Sequence, residues 1–341
     1  MQLSEIRLAL AYKNFAANRN ISHIGLGVAA LNTAKVLSRA GVNTEVWPII
    51  DATDLRKRLG ASAKTHVVIS APWITSPDLQ RLTLDFPGVQ FSVVCHSNVG
   101  FLQADANGVR LFGEGMEIER GSCNFRMAGN SRKFAEWVRR TFGVPCIFLP
   151  NLYYLDDNVP IGRPVFRGGL LRIGAFGATR PLKNLMSAAG AALAISQDFD
   201  TDLEFWVNSG REEGGGGIAS AIHEMFSITR HAKVVQAGWQ SWHNHRKTVS
   251  NMDLLTSCSY TESFNMVTAD GVAEGVASVT SDAIDWVPRY WHAQADNVLD
   301  IARVGRSLLC DPNAAKDGLK ALAAHNAEGL REWRDFLEGA F

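Results

Sequence analysis

The chain has 341 residues and equal numbers of acidic and basic side chains, so its formal net charge is zero. A hydrophobic content of 46% and a charged content of 20% exclude a disordered chain and favour a globular protein of two domains. The balanced charge removes the simplest argument for a nucleic-acid partner. We find no apolar run of roughly 18 residues, the length of a membrane span, and no signal-peptide pattern at the first residues.

The cysteines are scattered and odd in number, which favours reduced thiols in a cytoplasmic protein over a disulfide framework. They are Cys95, Cys123, Cys146, Cys258 and Cys310. We expect no metal site. The segment WHNHR (242–246) carries two histidines without a third ligand in view, and QDFDTDLE (197–204) lacks the glycine of a calcium loop.

The N-terminal half alternates strand-like and helix-like segments, which predicts a mostly parallel sheet with helices on both faces. The predicted strands are 6–12, 43–50, 66–72, 89–97, 125–129 and 144–151, and the predicted helices are 28–40, 76–86 (with Ser76 as N-cap) and 131–143. We assign residues 1–151 to this first domain.

A segment rich in proline, glycine and charge (152–169) interrupts the alternation and is interpreted as a linker. The alternation then resumes over 170–314. Its predicted strands are 170–176, 202–209, 233–239 and 253–259, and its predicted helices are 184–197, 218–228 and one near 242–250. The tail, 315–341, contains a predicted amphipathic helix over 315–338.

Two cations follow the first strand of the second domain. In the segment GATRPLKN (177–184), Arg180 and Lys183 lie in a turn directly before a helix. Ligands of open parallel sheets bind beyond the carboxyl ends of the strands, and a helix N-terminus favours anions. The turn therefore suits a diphosphate, although two solvated surface cations remain an equal alternative.

Two carboxylates lie in the segment ESFNMVTADGVAEGVASVTSD (262–282), directly after the strand 253–259. Ser263 or Asn265 can cap a helix that begins near Met266, so Glu262 and Asp270 can both reach the helix N-terminus. Carboxylates bind sugar hydroxyls, and free backbone amides bind phosphate. The amides concerned are those of Asn265, Met266 and Val267. The alternative is an ordinary helix with a capping acid.

With these segments, the C-terminal half resembles the retaining GT-B glycosyltransferases, in particular glycosyltransferase family 4. That family has two glutamates separated by seven residues in a segment similar to 262–281, and a Gly-Arg…Lys segment similar to GATRPLKN. The family's F-x-G motif, which precedes the loop that binds the nucleotide base, is similar to VQAGW (235–239). The matching positions are Glu262, Phe264, Asp270, Ala273, Gly275 and Val279. Over the N-terminal half the likeness is weaker and rests on HIGLGVAAL (23–31), VVCHS (93–97) and RMAGNS (126–131).

The resemblance implies an α/β GT-B fold, with two Rossmann-like domains whose parallel sheets face an interdomain cleft. It also implies a UDP- or GDP-sugar donor, metal-independent transfer, and a C-terminal helix (315–341) that packs back on the N-terminal domain. Glu262 would contact the donor sugar, and Asp270 the ribose. Arg180 and Lys183 would stabilise the leaving diphosphate, and His96 would touch the transferred sugar. The nucleotide-binding candidates are Gly25, Gly27, Asn208, Trp239, Ser263, Phe264, Asn265, Met266, Val267 and Asp270.

The sequence also departs from the family pattern. The second acid is the shorter Asp270, and Ala277 stands where the family has a proline. Alternatives therefore stay open: a non-catalytic nucleotide-binding or scaffold protein, or a sugar-nucleotide epimerase. His96 can instead be a hydrogen-bonded histidine at a strand end, and Gly25 and Gly27 a tight turn before a helix.

The acceptor is not identified by the sequence; glycan, lipid, protein and a DNA base all remain open, and its binding loops are expected within 98–124. Contact with a membrane surface or nucleic acid would need a basic face such as that of the helix 131–143, for which a solvated face is the favoured interpretation. The basic residues of that helix are Arg132, Lys133, Arg139 and Arg140.

The glycine run 214–217 is expected to be a surface loop or a lid.

Overall fold

The computed structural model describes residues 3–14, 24–156, 160, 164–208 and 216–339. The chain divides into two compact units. One comprises Met1–Tyr154 together with His325–Phe341, and the other comprises Leu155–Ala324. Part of the expected linker (157–159 and 161–163) lies outside the described residues, as do 214 and 215 of the glycine run.

The first unit contains a parallel sheet, as the strand–helix alternation predicted. Its strands, within the described residues, are β1 (Arg7–Lys13), β2 (Asn43–Ile49), β3 (His66–Ser70), β4 (Gln90–Cys95), β5 (Phe125–Gly129) and β6 (Ile147–Phe148). They lie in the order β2-β1-β3-β4-β5-β6, and each neighbouring pair is parallel.

Helices cover both faces of this sheet. After a 3-10 turn at Leu3–Glu5, those of the described part are α1 (Ile24–Arg39), α2 (Ala52–Gly60), α3 (Ser76–Asp85), α4 (Val99–Leu102), α5 (Ala106–Gly121) and α6 (Arg132–Phe142). Alternate residues of one strand enter separate cores: Leu8 and Leu10 pack in one hydrophobic cluster, and Ala9 and Ala11 in another. This alternation is what a sheet buried on both faces requires.

Three details of the first unit differ from the sequence-based expectation. Helices α2, α4 and α5 were not predicted. The N-cap of α3 is Thr75, so Ser76 is the first helical residue and not the cap. Helix α1 begins at Ile24, four residues earlier than predicted, which puts Gly25 and Gly27 in its first turn and not in a loop before it.

The second unit is built around a shorter parallel sheet. Its described strands are β7 (Leu171–Ala175), β8 (Leu203–Asn208), β9 (Ala232–Ala237), β10 (Leu254–Ser257) and β11 (Ser278–Thr280), in the order β11-β10-β7-β8-β9. All neighbouring pairs are parallel. Because β7 lies between β10 and β8, the segments after these three strands meet at one edge of the sheet.

The helices of the rest of the chain complete the α/β alternation. Among the described residues they are α7 (Leu185–Asp198), α8 (Ile218–Ser227), α9 (Trp242–Ser250), α10 (Met266–Ala273), α11 (Val298–Cys310) and α12 (Ala314–Glu338), with 3-10 turns at Pro181–Lys183 and Arg289–Trp291. Helix α11 was not predicted. None of the helices within the described ranges has the length and apolarity needed to cross a membrane.

The last part of α12 belongs to the first unit by its contacts. Trp333, 3% exposed, donates from its indole nitrogen to Pro150 O at 2.9 Å. Asn326 exchanges two hydrogen bonds with the backbone of Tyr153, at 2.9 and 2.7 Å. On the surface, Arg132 of α6 pairs with Glu328 and Glu332.

Candidate functional site

The loop that follows β7 is held by two asparagine side chains, one at the end of β8 and one at the end of the loop itself. Asn208 Oδ1, at the end of β8, accepts a hydrogen bond from Gly177 N at 2.8 Å. Asn184, in a left-handed conformation, donates from its side chain to Cys258 O (3.0 Å) and Ala295 O (2.6 Å). The loop carrying Arg180 and Lys183 is therefore fixed at both of its ends.

Lys183 and Glu262 form an ion pair across the two strand ends. Both side chains are largely buried, with 17% and 12% of their surfaces exposed. Glu262 Oε1 also accepts from Ser259 Oγ at 2.9 Å and from Asn265 Nδ2 at 3.1 Å. Two candidates predicted from segments 79 positions apart therefore lie in direct contact, with donors converging on one carboxylate oxygen.

Helix α10 begins where the sequence predicted, and Asn265 is its N-cap. Its side-chain oxygen accepts from Thr268 N at 2.9 Å. Its backbone φ is +67°, a left-handed conformation that asparagine tolerates better than most residues. Ser263, the other cap candidate, is half-buried just before the helix, and Met266 and Val267 are half-buried in its first turn.

Phe264 lies in the interior of the unit. It is 1% exposed, stacks on Trp286 with ring centroids 5.4 Å apart, and accepts at its carbonyl from the Trp286 indole at 2.6 Å. Its side chain is therefore part of the packing beneath the segment 262–267.

Two further candidates lie in other loops. Arg180 is half-buried in the β7–α7 loop, and Trp239 is 39% exposed in the segment after β9.

Asp270 is buried on α10, with 2% of its surface exposed. Its Oδ1 accepts from the Trp242 indole nitrogen at 2.8 Å, and its Oδ2 lies 3.8 Å from His245 Nε2. Burial lowers the pKa of His245 to about 4, so this imidazole is neutral at pH 7. Asp270 thus points toward α9, whereas Glu262 lies against Lys183.

The packing of α10 explains why a glycine, Gly271, follows Asp270. A Cβ at this position would lie 2.5 Å from Leu255 Cδ1 of β10 and 3.1 Å from Val276 O. Helix α10 is buried over Thr268–Ala273. The close packing of helix on strand requires the glycine here, and helix propensity on a solvent-exposed surface is not the deciding factor.

The remaining candidates belong to the first unit. His96 directly follows β4, and Asn130 Nδ2 donates toward its Nδ1 at 3.3 Å. Because Asn130 Oδ1 accepts from Asn151 N at 2.6 Å, the amide orientation is fixed and the imidazole proton lies on Nε2. Burial lowers the pKa of His96 to about 4, so it is neutral at pH 7.

Gly27 packs against the Tyr12 ring, and a Cβ at this glycine would lie 3.1 Å from Tyr12 Cε2.

Ser259, Asn184 and Trp242 were not among the predicted site residues. Ser259 lies three positions before Glu262, and Asn184 is the last residue of the segment GATRPLKN. Spacing to a known candidate could have suggested the first two. Nothing in the sequence around Trp242 indicates its contact with Asp270. In the described part of the chain, we find no group of three or more histidine, cysteine or acidic residues that could hold a metal ion.

Comparison with known proteins gives a fold and no family. The sequence matches no protein-family model and no curated protein. Among solved structures, sucrose-phosphate synthase from Thermosynechococcus elongatus superposes with a TM-score of 0.66 at 13% identity, over 97% of this chain and 99% of that chain. Anabaena HepE in complex with UDP-glucose gives 0.62 at 11%, over 96% and 99%.

A third structure is TarM from S. aureus in complex with fondaparinux, alpha-GlcNAc-glycerol and UDP. It gives a TM-score of 0.59 at 15% identity, over 80% of this chain and 55% of TarM, so this chain spans about half the length of TarM. At these identities the likeness establishes the fold alone. The predicted α/β fold, with two parallel sheets of the GT-B kind, is confirmed, and the structural neighbours are GT-B glycosyltransferases.

Proposed function

We propose that this protein is a retaining, metal-independent glycosyltransferase of the family 4 type that uses a nucleotide-diphosphate sugar. The observation that carries the proposal is the buried contact between Lys183 and Glu262 beside the N-terminus of α10. It joins the predicted diphosphate-binding turn to the predicted sugar-binding acid. The GT-B neighbours with UDP or UDP-glucose bound support a nucleotide-sugar donor.

Arg180 and Lys183 would hold the diphosphate and stabilise its charge as it leaves. The backbone amides of Asn265, Met266 and Val267 would add hydrogen bonds and the positive end of the helix dipole. Electrostatic stabilisation of this kind needs no metal ion. A UDP- or GDP-sugar would therefore be held by fixed cations and amides of the second unit.

Glu262 would serve two purposes in this scheme. It would contact the hydroxyls of the donor sugar, and it would orient the Lys183 ammonium toward the phosphates. Asp270 would accept from the ribose, for which the Trp242 indole has to share or leave the carboxylate. Trp239 and Asn208 would border the nucleoside, and His96 would touch the transferred sugar.

A second candidate, a nucleotide-binding protein without transfer activity, is favoured by one observation. Asp270 is almost fully buried and already accepts from Trp242. If the acid that would bind the ribose is already hydrogen-bonded within the protein, free nucleotide would bind more weakly than to an open site. This is what we would expect of a nucleotide-binding protein without transfer activity. Release of free UDP or GDP from the sugar nucleotide, with and without acceptor extracts, separates the two candidates.

Binding of UDP, GDP, ADP and their sugars, measured as a shift in melting temperature, tests the donor site. A ligand at 100 times its Kd stabilises the native state by about 2.7 kcal/mol. We expect a shift with one nucleotide that is lost in Lys183→Ala. Lys233→Ala is the matched control, because Lys233 is an ion-paired lysine of the same unit, 2.9 Å from Glu204. Absence of a shift with every nucleotide would remove the donor-site proposal.

A further inference from the structure

Asn265 makes two side-chain contacts in opposite directions. Its Oδ1 accepts from Thr268 N at 2.9 Å and caps α10, and its Nδ2 donates to Glu262 Oε1 at 3.1 Å. A single planar amide therefore connects the helix N-terminus with the acid that pairs with Lys183. Because the amide is planar, fixing its oxygen on the helix also fixes the direction of its N–H donors.

The backbone of Asn265 makes this arrangement possible. Its φ of +67° and ψ of +91° turn the chain sharply between Phe264 and Met266. A glycine would adopt such angles readily, whereas most other residues do not. Here the left-handed position carries a side chain, and that side chain fills the space between α10 and Glu262.

We infer that Asn265 is a positioning residue that holds the Glu262 carboxylate against Lys183. Ser259 assists from the other side, donating to the same Oε1 at 2.9 Å. The two neutral donors orient the carboxylate, which in turn places the ammonium beside the N-terminus of α10. The consequence for transfer rests on the proposed function, whereas the positioning itself is a property of the ligand-free protein.

Asn265→Asp tests the contact with little change of shape. The aspartate keeps an oxygen for Thr268 N and tolerates the left-handed backbone, but it replaces the N–H donor by an oxygen about 3 Å from Glu262. We expect a melting temperature lower by about 2 to 4 °C at pH 8. The loss should shrink at pH 5.5, because the two carboxylates then share a proton despite the nearby Lys183 charge.

Reversing the direction of the hydrogen bond provides the rescue. In the Asn265→Asp/Glu262→Gln double variant, the glutamine amide can donate to the aspartate. The double variant should therefore lose clearly less than the sum of the two single losses, and its pH dependence should disappear. Asn297→Asp is the matched control, since Asn297 caps α11 through Asp300 N at 3.0 Å and the same substitution there should show neither effect.

Strict additivity of the two substitutions, or an Asn265→Asp protein as stable as the parent at pH 8, would overturn the inference. Asn265→Gly supplies a second cycle, because it removes the amide, adds no charge and keeps the backbone angles accessible. It should lower stability equally at both pH values. Binding of UDP, GDP and ADP measured on the same set separates the two proposals: no binding of any of the three by the parent refutes the donor site, while the melting-temperature cycle still decides the role of Asn265.

Discussion

The Trp242 indole donates to the buried Asp270 carboxylate at 2.8 Å, joining α9 to α10 across 28 positions of the chain. Removing the donor in Trp242→Phe leaves a buried carboxylate oxygen without its N–H partner. We expect a loss of about 1 to 3 kcal/mol in the free energy of unfolding. Urea unfolding measures this loss. The control is Trp239→Phe, because Trp239 is 39% exposed, and this substitution should change the free energy of unfolding by less than about 0.5 kcal/mol.

Asp270→Asn should separate stability from ligand binding at the same position. The asparagine oxygen can still accept from Trp242, so unfolding should change less than in Trp242→Phe. If the ribose binds here, the weaker neutral acceptor should lower nucleotide affinity by about tenfold, or 1.4 kcal/mol. Titration calorimetry with the nucleotide that binds the parent gives the answer. Equal affinity of parent and variant would contradict a ribose contact at Asp270.

Glu119 is a buried acid whose ionisation destabilises the first unit. Burial raises the pKa of Glu119 to about 7, although Met127 N donates to it at 2.5 Å. The native state therefore binds this proton more tightly than the unfolded state. Its contribution to stability is complete below about pH 4.5 and is lost as the pH rises through 7.

Glu119→Gln should remove that pH dependence. The difference in unfolding free energy between parent and variant should change by on the order of 2 kcal/mol from pH 5 to pH 7.5, with the parent losing stability. Glu117→Gln is the control, because Glu117 lies exposed on the same helix α5. Parallel curves for parent and Glu119→Gln would contradict the buried-acid interpretation.

His66 should make the docking of α12 sensitive to acid. Burial lowers the pKa of His66 to about 4, and its ring packs edge-on against Phe336 with centroids 5.6 Å apart. Its contribution is complete above pH 6.5 and is lost as the pH falls toward 4. His66→Phe should abolish an acid-dependent loss on the order of 2 kcal/mol. The exposed His231, replaced by Gln, should leave the pH profile unchanged.

Trp333 anchors α12 to the first unit. Replacing it with alanine removes a buried ring and its hydrogen bond to Pro150 O, so we expect a loss of about 3 to 5 kcal/mol. Arg334→Ala, at the next and exposed position, is the control. Thermal unfolding followed by near-UV circular dichroism compares the two variants, and a similarly small effect of both would show that α12 contributes little to this unit.

The strand pattern could be predicted because each strand of a sheet buried on both faces is a short apolar run between turn signals. Helix α5 could not. It contains Gly108, Gly113, Gly115 and Gly121, which lower helix propensity. The structure shows why two of them are there: a Cβ at Gly115 would lie 2.6 Å from Met127 Sδ, and one at Gly108 would lie 2.3 Å from Asp105 Oδ2. At Gly115, tertiary packing against β5 outweighs local preference, whereas at Gly108 the glycine leaves room for the side chain of Asp105, the N-cap of α5.

The contacts among the candidate residues could not be predicted from the sequence. Lys183 and Glu262 each follow a predicted strand, but their meeting depends on β7 and β10 being neighbours. A single sequence contains strand positions and not strand order. For the same reason, the spacing of Glu262 and Asp270 suggested a shared volume, whereas the intervening helix directs Asp270 to Trp242 on α9.

The double anchoring of Asn184 has a consequence for how fast and how tightly an anion can bind. Its side chain ties the end of the β7–α7 loop to Cys258 O and Ala295 O, and Leu182 O of the same loop accepts from Tyr260 N, after β10, at 3.0 Å. An incoming diphosphate would meet this loop already in its final shape. Its binding energy would then not be used to order the backbone, and association would be limited by encounter and not by loop rearrangement.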